Sequence, residues 1–408
     1  MRLGGAGWVL LRNFAQPYRR TANSEPPNPL NPDALFPAPA TSGYLNCASR
    51  APQLHSVAEA AREALRFREH SAAMPVPAFF STPAAIRQEF AKLIGGDDRE
   101  RIAMIPAVSY GVATVAHNVD LRAEHNVIVA ADQFPSNYYT WAERCKAVGA
   151  ELRVVARPEP GSVDTWSDRL LAAIDADTAV VAGAHVHWAD GTPFDLVALR
   201  QRTDEVGAWL VVDGTQSVGA LAFDVGAIRP DALVCGGYKW LMGPYGCGYA
   251  YYGERMDGGH PIEENWINRA GSEDFRNLVN YADDYRPRAG RYCVGEHSNF
   301  LMAPMQLAAL RQVNAWGPAA VQEHTAALWG GVGDDLAALG VHLPSTRAHH
   351  LVGLRLPAGT DGQVLAKALE ERDLKVSYRG DAVRVSPHVY NTGEEMARLV
   401  EAIGRATP

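Results

Sequence analysis

The chain has 408 residues, 47% of them apolar and 21% charged, with a formal charge of −8. This is the composition of an ordinary globular chain long enough for two lobes, and its acidic balance argues against a general nucleic-acid binder. No run of about 18 uninterrupted apolar residues is present, which excludes a membrane-spanning helix, and five cysteines without a CxxC pair give neither a zinc ribbon nor a disulfide framework and fit a reducing compartment such as the cytoplasm.

Residues 1–24 carry Arg2, Arg12, Arg19 and Arg20 but no acid, and Pro26, Pro27, Pro29, Pro32, Pro37 and Pro39 follow. Proline at that density breaks helices, so residues 1–40 read as a Pro-rich extended or loosely docked arm, with a transit segment as the alternative. Ser56 is placed to cap a helix carrying Val57, Ala60, Ala61, Ala64 and Leu65 at a period near 3.6. A second helix covers 84–93 and stops at Gly95-Gly96. Strands and helices then alternate. Strands fall at 102–105, 127–130, 151–155, 179–183, 209–212 and 232–235, and an aromatic strand re-enters after Gly246. Helices at 109–119, 140–148, 170–173 and 196–206 separate most of them, and the rhythm predicts a mostly parallel sheet with helices on both faces. Beyond Asn299 come helices at 304–315, 319–339 and 362–371, strands near 351–356, 375–377 and 382–385, and a last helix at 394–405. The expected organisation is α/β: a large domain over 41–310 and a smaller α+β domain over 311–408, completed by part of the N-terminal segment.

Ligands of open parallel sheets bind beyond the carboxyl ends of the strands. Phe134, His185 with His187, Asp213, and Tyr238-Lys239 each follow a strand, so an aromatic ring, imidazoles, a carboxylate and an amine are expected on one rim. Asp213 alone reads as a turn aspartate before Gly214 or as the counter-ion of a buried cationic nitrogen. Ser109-Tyr110-Gly111 opens a helix directly after a strand, where free N–H groups suit phosphate; an ordinary serine cap gives the same pattern. No GxGxxG follows the first strand, which disfavours a dinucleotide site. Lys239, between the turns at Gly236-Gly237 and Gly243-Pro244, is a surface lysine or an amine held in a pocket.

Asp213-Gly214-Thr215-Gln216, the 26-residue spacing from Asp213 to the lysine of Gly236-Gly237-Tyr238-Lys239-Trp240, and the closing run from Arg384 to Glu395 together resemble the class V aminotransferase/cysteine desulfurase family of pyridoxal-phosphate enzymes. The resemblance spans roughly residues 40 to 405. It implies the aspartate-aminotransferase-like fold type I and a homodimer with shared active sites. Carried over, Lys239 would form the Schiff base with pyridoxal 5'-phosphate and move the proton at the substrate Cα. Asp213 would hold the ring nitrogen protonated, Gln216 would meet the ring hydroxyl, and Phe134 would stack on the ring. Ser109, Tyr110 and Tyr238 would hold the phosphate, and Arg384 the substrate α-carboxylate. Arg286 to Asn299 resembles the loop that reaches the partner's cofactor, with Arg288, Arg291 and Asn299 as candidates.

Three departures bear on chemistry. No cysteine follows Cys293, so the nucleophile of a desulfurase is missing, and Tyr238 stands where sulfur-mobilising desulfurases carry histidine. Trp188 occupies a position where an asparagine often meets the cofactor, which leaves His187 or Gln216 to substitute. The expected function is β-elimination of the C–S lyase kind on a small amino-acid substrate, with His187 joining Lys239 and Asp213 as a catalytic group. Transamination and epimerisation share the first step and stay open, with His187 or Tyr138 as the second acid/base an epimerase needs. A non-catalytic binding protein has no need of Lys239, Asp213 and Arg384 together. Neither nucleic acid, membrane nor metal is expected as a partner.

Overall fold

The computed structural model describes residues 32–37, 41–70, 72, 74–159, 162–344 and 346–408. Most of the predicted N-terminal arm, including the Arg-rich start, lies outside them. Among the described residues, ten strands form two sheets. The first contains β1 (Ile102–Ile105), β2 (Asn126–Ala130), β3 (Glu151–Val155), β4 (Thr178–Ala184), β5 (Trp209–Asp213), β6 (Ala232–Gly236) and β7 (Gly248–Tyr252) in the order β1-β7-β6-β5-β4-β2-β3. Parallel pairing joins β3, β2, β4, β5 and β6. The aromatic strand β7 is antiparallel to both β6 and β1, so β1 runs with the other five. Every residue of β1, β2 and β6 is buried, as strands covered by helices on both faces must be.

One consequence places the site. Six strands end on the same rim, and β7 starts there, so the segments after β1, β2, β4, β5 and β6 and the turn before β7 converge. The second sheet has β8 (Val352–Arg355), β9 (Ser377–Arg379) and β10 (Ala382–Val385), all antiparallel in the order β8-β10-β9.

Two hydrophobic cores accompany the two sheets. The helix Met302–Trp316 buries Ala309, Leu310, Val313 and Trp316 in the first core, as does Val321. Leu328, Trp329 and the apolar faces of Gly362–Glu371 and Gly393–Ala406 belong to the second. The expected boundary at 310/311 therefore falls inside a helix of the first core, and the change of core comes between Val321 and Leu328. Leu45 is buried in the second core, and the short strand expected around it consists of single bridges, Tyr44 to Lys375 and Asn46 to Ser386.

Two local expectations shift. The helix expected to be capped by Ser56 starts two residues earlier, at His55, with a fully buried Leu54 at the cap position and no side-chain cap; burial of Leu54 rather than a serine hydroxyl sets its start. The long helix expected at 319–339 is two, Pro318–Gly330 and Gly333–Ala338, interrupted at Gly330-Gly331 where helix propensity is lowest.

Candidate active site

Lys239 sits in the loop that leaves β6. That loop closes on itself: the Gly237 amide donates to the Cys247 carbonyl at 2.8 Å and the Gly243 amide to the Gly237 carbonyl at 2.8 Å. A Cβ on Gly237 would lie 2.9 Å from the Cys247 oxygen, so this approach requires glycine. Trp240 anchors the loop from below, its indole N–H donating to Gln216 Oε1 at 2.9 Å. Lys239 is 6% exposed, and its Nζ lies 5.4 Å from the Phe134 ring centroid and 5.5 Å from that of Tyr238. Burial pushes its pKa down to about 8; the Asp213 carboxylate opposes the shift, and the guanidinium groups of Arg384 and Arg379 reinforce it.

Asp213 ends β5. Its Oδ1 accepts the Thr215 amide at 2.8 Å and its Oδ2 the Asn137 Nδ2 at 2.7 Å. Asn137 comes from the first turn of the helix Pro135–Val148 that follows β2. Phe134 precedes that helix, with its ring edge-on to Trp188 at 5.5 Å. At the opposite end, the helix Val108–Asn118 begins after Ala107 without a side-chain cap, so its first N–H groups have no intrahelical partner. These elements enclose a cleft of about 270 Å³ that includes Ser109, Phe134, Asp213, Gln216, Tyr238 and Lys239.

The cleft thus brings together a buried amine of depressed pKa, a carboxylate and an uncapped helix N-terminus. Residues 44–399 match the family description "Aminotransferase class-V". The chain belongs to the class-V aminotransferase family. An uncharacterized aminotransferase, YcbU of Bacillus subtilis, is 26% identical over 322 residues, 79% of this chain and 83% of the relative. Isopenicillin N epimerase of Streptomyces clavuligerus is 26% identical over 378 residues, 84% of this chain and 89% of the relative. Among solved structures, a mutant of C-DES with glycine covalently linked to its PLP cofactor superposes with a TM-score of 0.79 at 19% identity, over 92% of this chain and 99% of that one. This likeness shows the fold, type I of the pyridoxal-phosphate enzymes.

Class-V aminotransferases are pyridoxal-phosphate enzymes, and this cleft fits that group. The N–H groups of Val108 and Ser109 open an uncapped helix, a chemistry that would suit a phosphate. Gly236 leaves open a space where a Cβ would meet the Tyr238 ring at 3.3 Å and the Thr215 methyl at 3.4 Å. Gln216 retains one amide hydrogen for a ligand, because its Oε1 takes Trp240 and its Nε2 donates to the Ala48 carbonyl at 3.1 Å.

Arg384 stands behind Trp188, on the middle strand of the second sheet, and is not among the residues lining the cleft. It is 1% exposed. Its Nε donates to Ser377 Oγ at 3.1 Å and its Nη1 to the Trp188 carbonyl at 2.9 Å, while its buried Nη2 has no partner. Burial, then the neighbouring Arg379, pushes its pKa down to about 9.

Several expected residues lie elsewhere. His187 is fully buried and does not line the cleft; its Nε2 lies 3.1 Å from the Asp132 carbonyl and its Nδ1 3.3 Å from Asp190, so it braces the loop rather than the reaction. His185 is buried edge-on against Phe223, and burial pushes its pKa down to about 4. Tyr110 does not belong to the phosphate end either: its phenol turns towards Glu263 and Cys293, and burial pushes its pKa up. Tyr138 is edge-on to Tyr139 outside the lining. The candidates for the partner's cofactor are a separate case, and within this chain Arg288 pairs with Asp98, Arg291 donates to the Gly259 carbonyl, and Asn299 accepts the amides of Leu301 and Met302.

Three residues near the site were missed. Asn137 follows Phe134 by three positions, and only the helix start at Pro135 turns it under Asp213. Cys247 lines the cleft at the turn before β7, with its thiol on the Met302 sulfur at 3.8 Å and pushed by burial up to about 11. Arg379 lies on β9 with its guanidinium carbon 5.4 Å from the Trp188 ring centroid.

Proposed function

We propose that the cleft performs β-elimination on an α-amino acid that carries a sulfur-linked leaving group at Cβ. Pyridoxal phosphate, when bound, supplies an aldehyde that condenses with amines and a pyridinium ring that draws electrons from the bonds at Cα. The amides of Val108 and Ser109, with the Ser109 hydroxyl and Tyr238, hold the phosphate. Asp213 holds a proton at the ring nitrogen, kept in orientation by Asn137 and Thr215. Phe134 covers one ring face, and Trp188 helps exclude water. The free Nη2 of Arg384 takes the α-carboxylate and so turns the Cα–H bond towards Lys239. Lys239, its pKa already lowered, takes that proton as a neutral amine. A Cα–Cβ double bond would then form as the Cβ–S bond breaks, the Lys239 ammonium would return its proton to the departing thiolate, and water would hydrolyse the released enamine to pyruvate and ammonia.

The observation that carries this reading is Lys239 itself, a 6%-exposed amine with a pKa of about 8 beside an oriented carboxylate. Elimination is favoured over desulfurisation because no cysteine follows Cys293, and Cys247, the one thiol lining the cleft among the described residues, is held protonated. The likeness to isopenicillin N epimerase makes epimerisation the second reading. It needs an acid/base on the face opposite Lys239, and apart from Asp213 no carboxylate or imidazole lines the cleft among the described residues. A homodimer with shared sites is part of the proposal, supported by the outward-facing Val279 and Tyr281, 79% and 96% exposed, near the segment that resembles the partner-reaching loop.

The test is a product assay on the loaded enzyme with a panel of cysteine thioethers. Pyruvate and thiol should form in equal amounts, and Lys239→Ala should lower the rate by about 100- to 10,000-fold. Keto acid without thiol release, or inverted amino acid, would assign transamination or epimerisation instead.

A further inference from the structure

We propose that Arg379 is a specificity-determining residue that binds a second anionic group, carried by the side chain of the amino-acid substrate. This rests on the amino-acid reading above and goes beyond it by naming the substrate class: dianionic amino acids.

The hairpin geometry comes first. Arg384 on β10 pairs with Ser377 on β9, and Arg379 lies two residues further along β9, where it pairs with Ala382. Directly opposed residues share a face, as do residues two apart on one strand. Both guanidinium groups therefore project from the same face, as diagonal neighbours. The two like charges repel across that diagonal, Arg379 adding to the effect of burial in lowering the pKa of Arg384, and among the described residues no ion pair offsets them. The nearest acids on this element are engaged elsewhere: Asp381 pairs with Arg355 at 3.2 Å and Asp373 with Lys375 at 3.1 Å. Among the described residues, neither arginine has a carboxylate within ion-pair distance, and both donate only to neutral oxygens.

The second observation is the free donor edge. Arg379 spends its Nη1 on the Tyr378 carbonyl at 2.6 Å, while its Nε is buried without a partner. Its guanidinium lies against the Trp188 ring, the same ring that meets Phe134 edge-on. Its charge also reaches the site, since it helps lower the pKa of both Lys239 and Arg384.

Counting charge then separates the two arginines. A substrate α-carboxylate satisfies the unpartnered Nη2 of Arg384. Arg379 is left as a further cation beside the cleft, with Asp213 already bonded to Asn137 and Thr215. A partly desolvated cation with an unused donor is costly unless an anion meets it, and among the described residues of this chain no carboxylate lies within ion-pair distance of it. A carboxylate or comparable anionic group on the substrate side chain supplies it.

The test titrates the pyridoxal-phosphate holoenzyme with S-carboxymethyl-L-cysteine and with its neutral counterpart, S-carbamoylmethyl-L-cysteine, following the absorbance of the bound cofactor. The carboxylate ligand should bind about 10- to 100-fold more tightly. Arg379→Gln should abolish that preference while retaining cofactor, and Arg379→Lys should restore part of it. Equal affinities in the unmodified enzyme, or a preference that survives Arg379→Gln, would overturn the assignment. If neither compound, nor any other amino acid, perturbs the cofactor, the amino-acid reading falls and this proposal with it. If neutral-side-chain amino acids bind and the second carboxylate brings no advantage, only the role of Arg379 falls.

Discussion

Lys239 owes its reactivity to where its amine is kept rather than to any bond it makes. Only the neutral amine attacks an aldehyde, and a lysine of ordinary pKa, 10.5, is almost wholly protonated at neutral pH. With the pKa lowered to about 8, a tenth of the amine is neutral at pH 7. The rate at which the apo-protein captures pyridoxal phosphate should rise about tenfold per pH unit up to about pH 8 and then level off; stopped-flow absorbance would measure it, and a rate still climbing past pH 10 would mean an unshifted lysine. Stability follows the same sign. Between about pH 8 and 10.5 the unfolded chain binds the proton that the folded chain has lost, so the Lys239 contribution to apo stability improves as pH rises through that window. The gap in denaturant midpoint between Lys239→Met and the unmodified protein should shrink accordingly. The residues alone left Lys239 open between a surface lysine and a pocketed amine, and only the family resemblance, carried by its spacing to Asp213, pointed to it. The sequence misled at His187, since a residue after a strand can face the cleft or the packing behind it, and only the turn bringing the His187 amide onto the Thr192 carbonyl at 2.8 Å decides.

Among the elements, the helix Val108–Asn118 has to lie unusually close to the sheet for its N-terminus to point into the cleft. Gly111 permits this. A Cβ there would come within 2.7 Å of Val234 Cγ1 and 2.9 Å of Ile105 Cδ1. Gly111→Ala should therefore destabilise the fold by about 1–3 kcal/mol, although alanine favours an isolated helix by up to about 1 kcal/mol. Urea unfolding would give the value, and phosphate-dependent cofactor affinity should fall with it; a stabilised variant would show the helix free to shift. Buried runs such as Val127–Ala130 and Leu210–Val212 made the strands of the first sheet legible in advance, because parallel strands between helices read as continuous apolar stretches. The β9–β10 hairpin was legible only as two short strands. Its register depends on the two-residue turn at Gly380-Asp381, with Gly380 at φ +56°, and a shift of one residue would put Arg379 on the other face. That is why Arg384 could be singled out from its neighbours in sequence and Arg379 could not.

Across the whole molecule, the two sheets meet where substrate and cofactor must meet, and the loop from His187 to Thr192 holds them in place. Its Asp190 is 7% exposed and pairs with Arg157 and with His187 Nδ1 at 3.3 Å, while its backbone carbonyl accepts the Gly353 amide of β8 at 3.0 Å. Gly191, at φ +81°, passes so near β8 that a Cβ would lie 1.8 Å from the Leu351 oxygen. Two residues before Asp190, the Trp188 carbonyl receives Arg384. One loop thus sets both the distance between the sheets and the position of the carboxylate-binding arginine. Burial alone would raise the Asp190 pKa, but the hydrogen bond to His187 and the charges of His187 and Arg157 outweigh it and hold the carboxyl well below the ordinary 3.8. Its contribution is therefore fully present above pH 3.8 and is lost only in stronger acid. Asp190→Asn keeps the shape but strands Arg157 and His187, so it should cost about 3–5 kcal/mol, as for other broken buried pairs. If the loop also positions Arg384, the variant should keep its bound cofactor yet bind amino acids more weakly, measured by absorbance titration. A loss below about 1 kcal/mol, the range of exposed pairs, together with unchanged amino-acid affinity, would show that the two sheets hold their spacing without this loop.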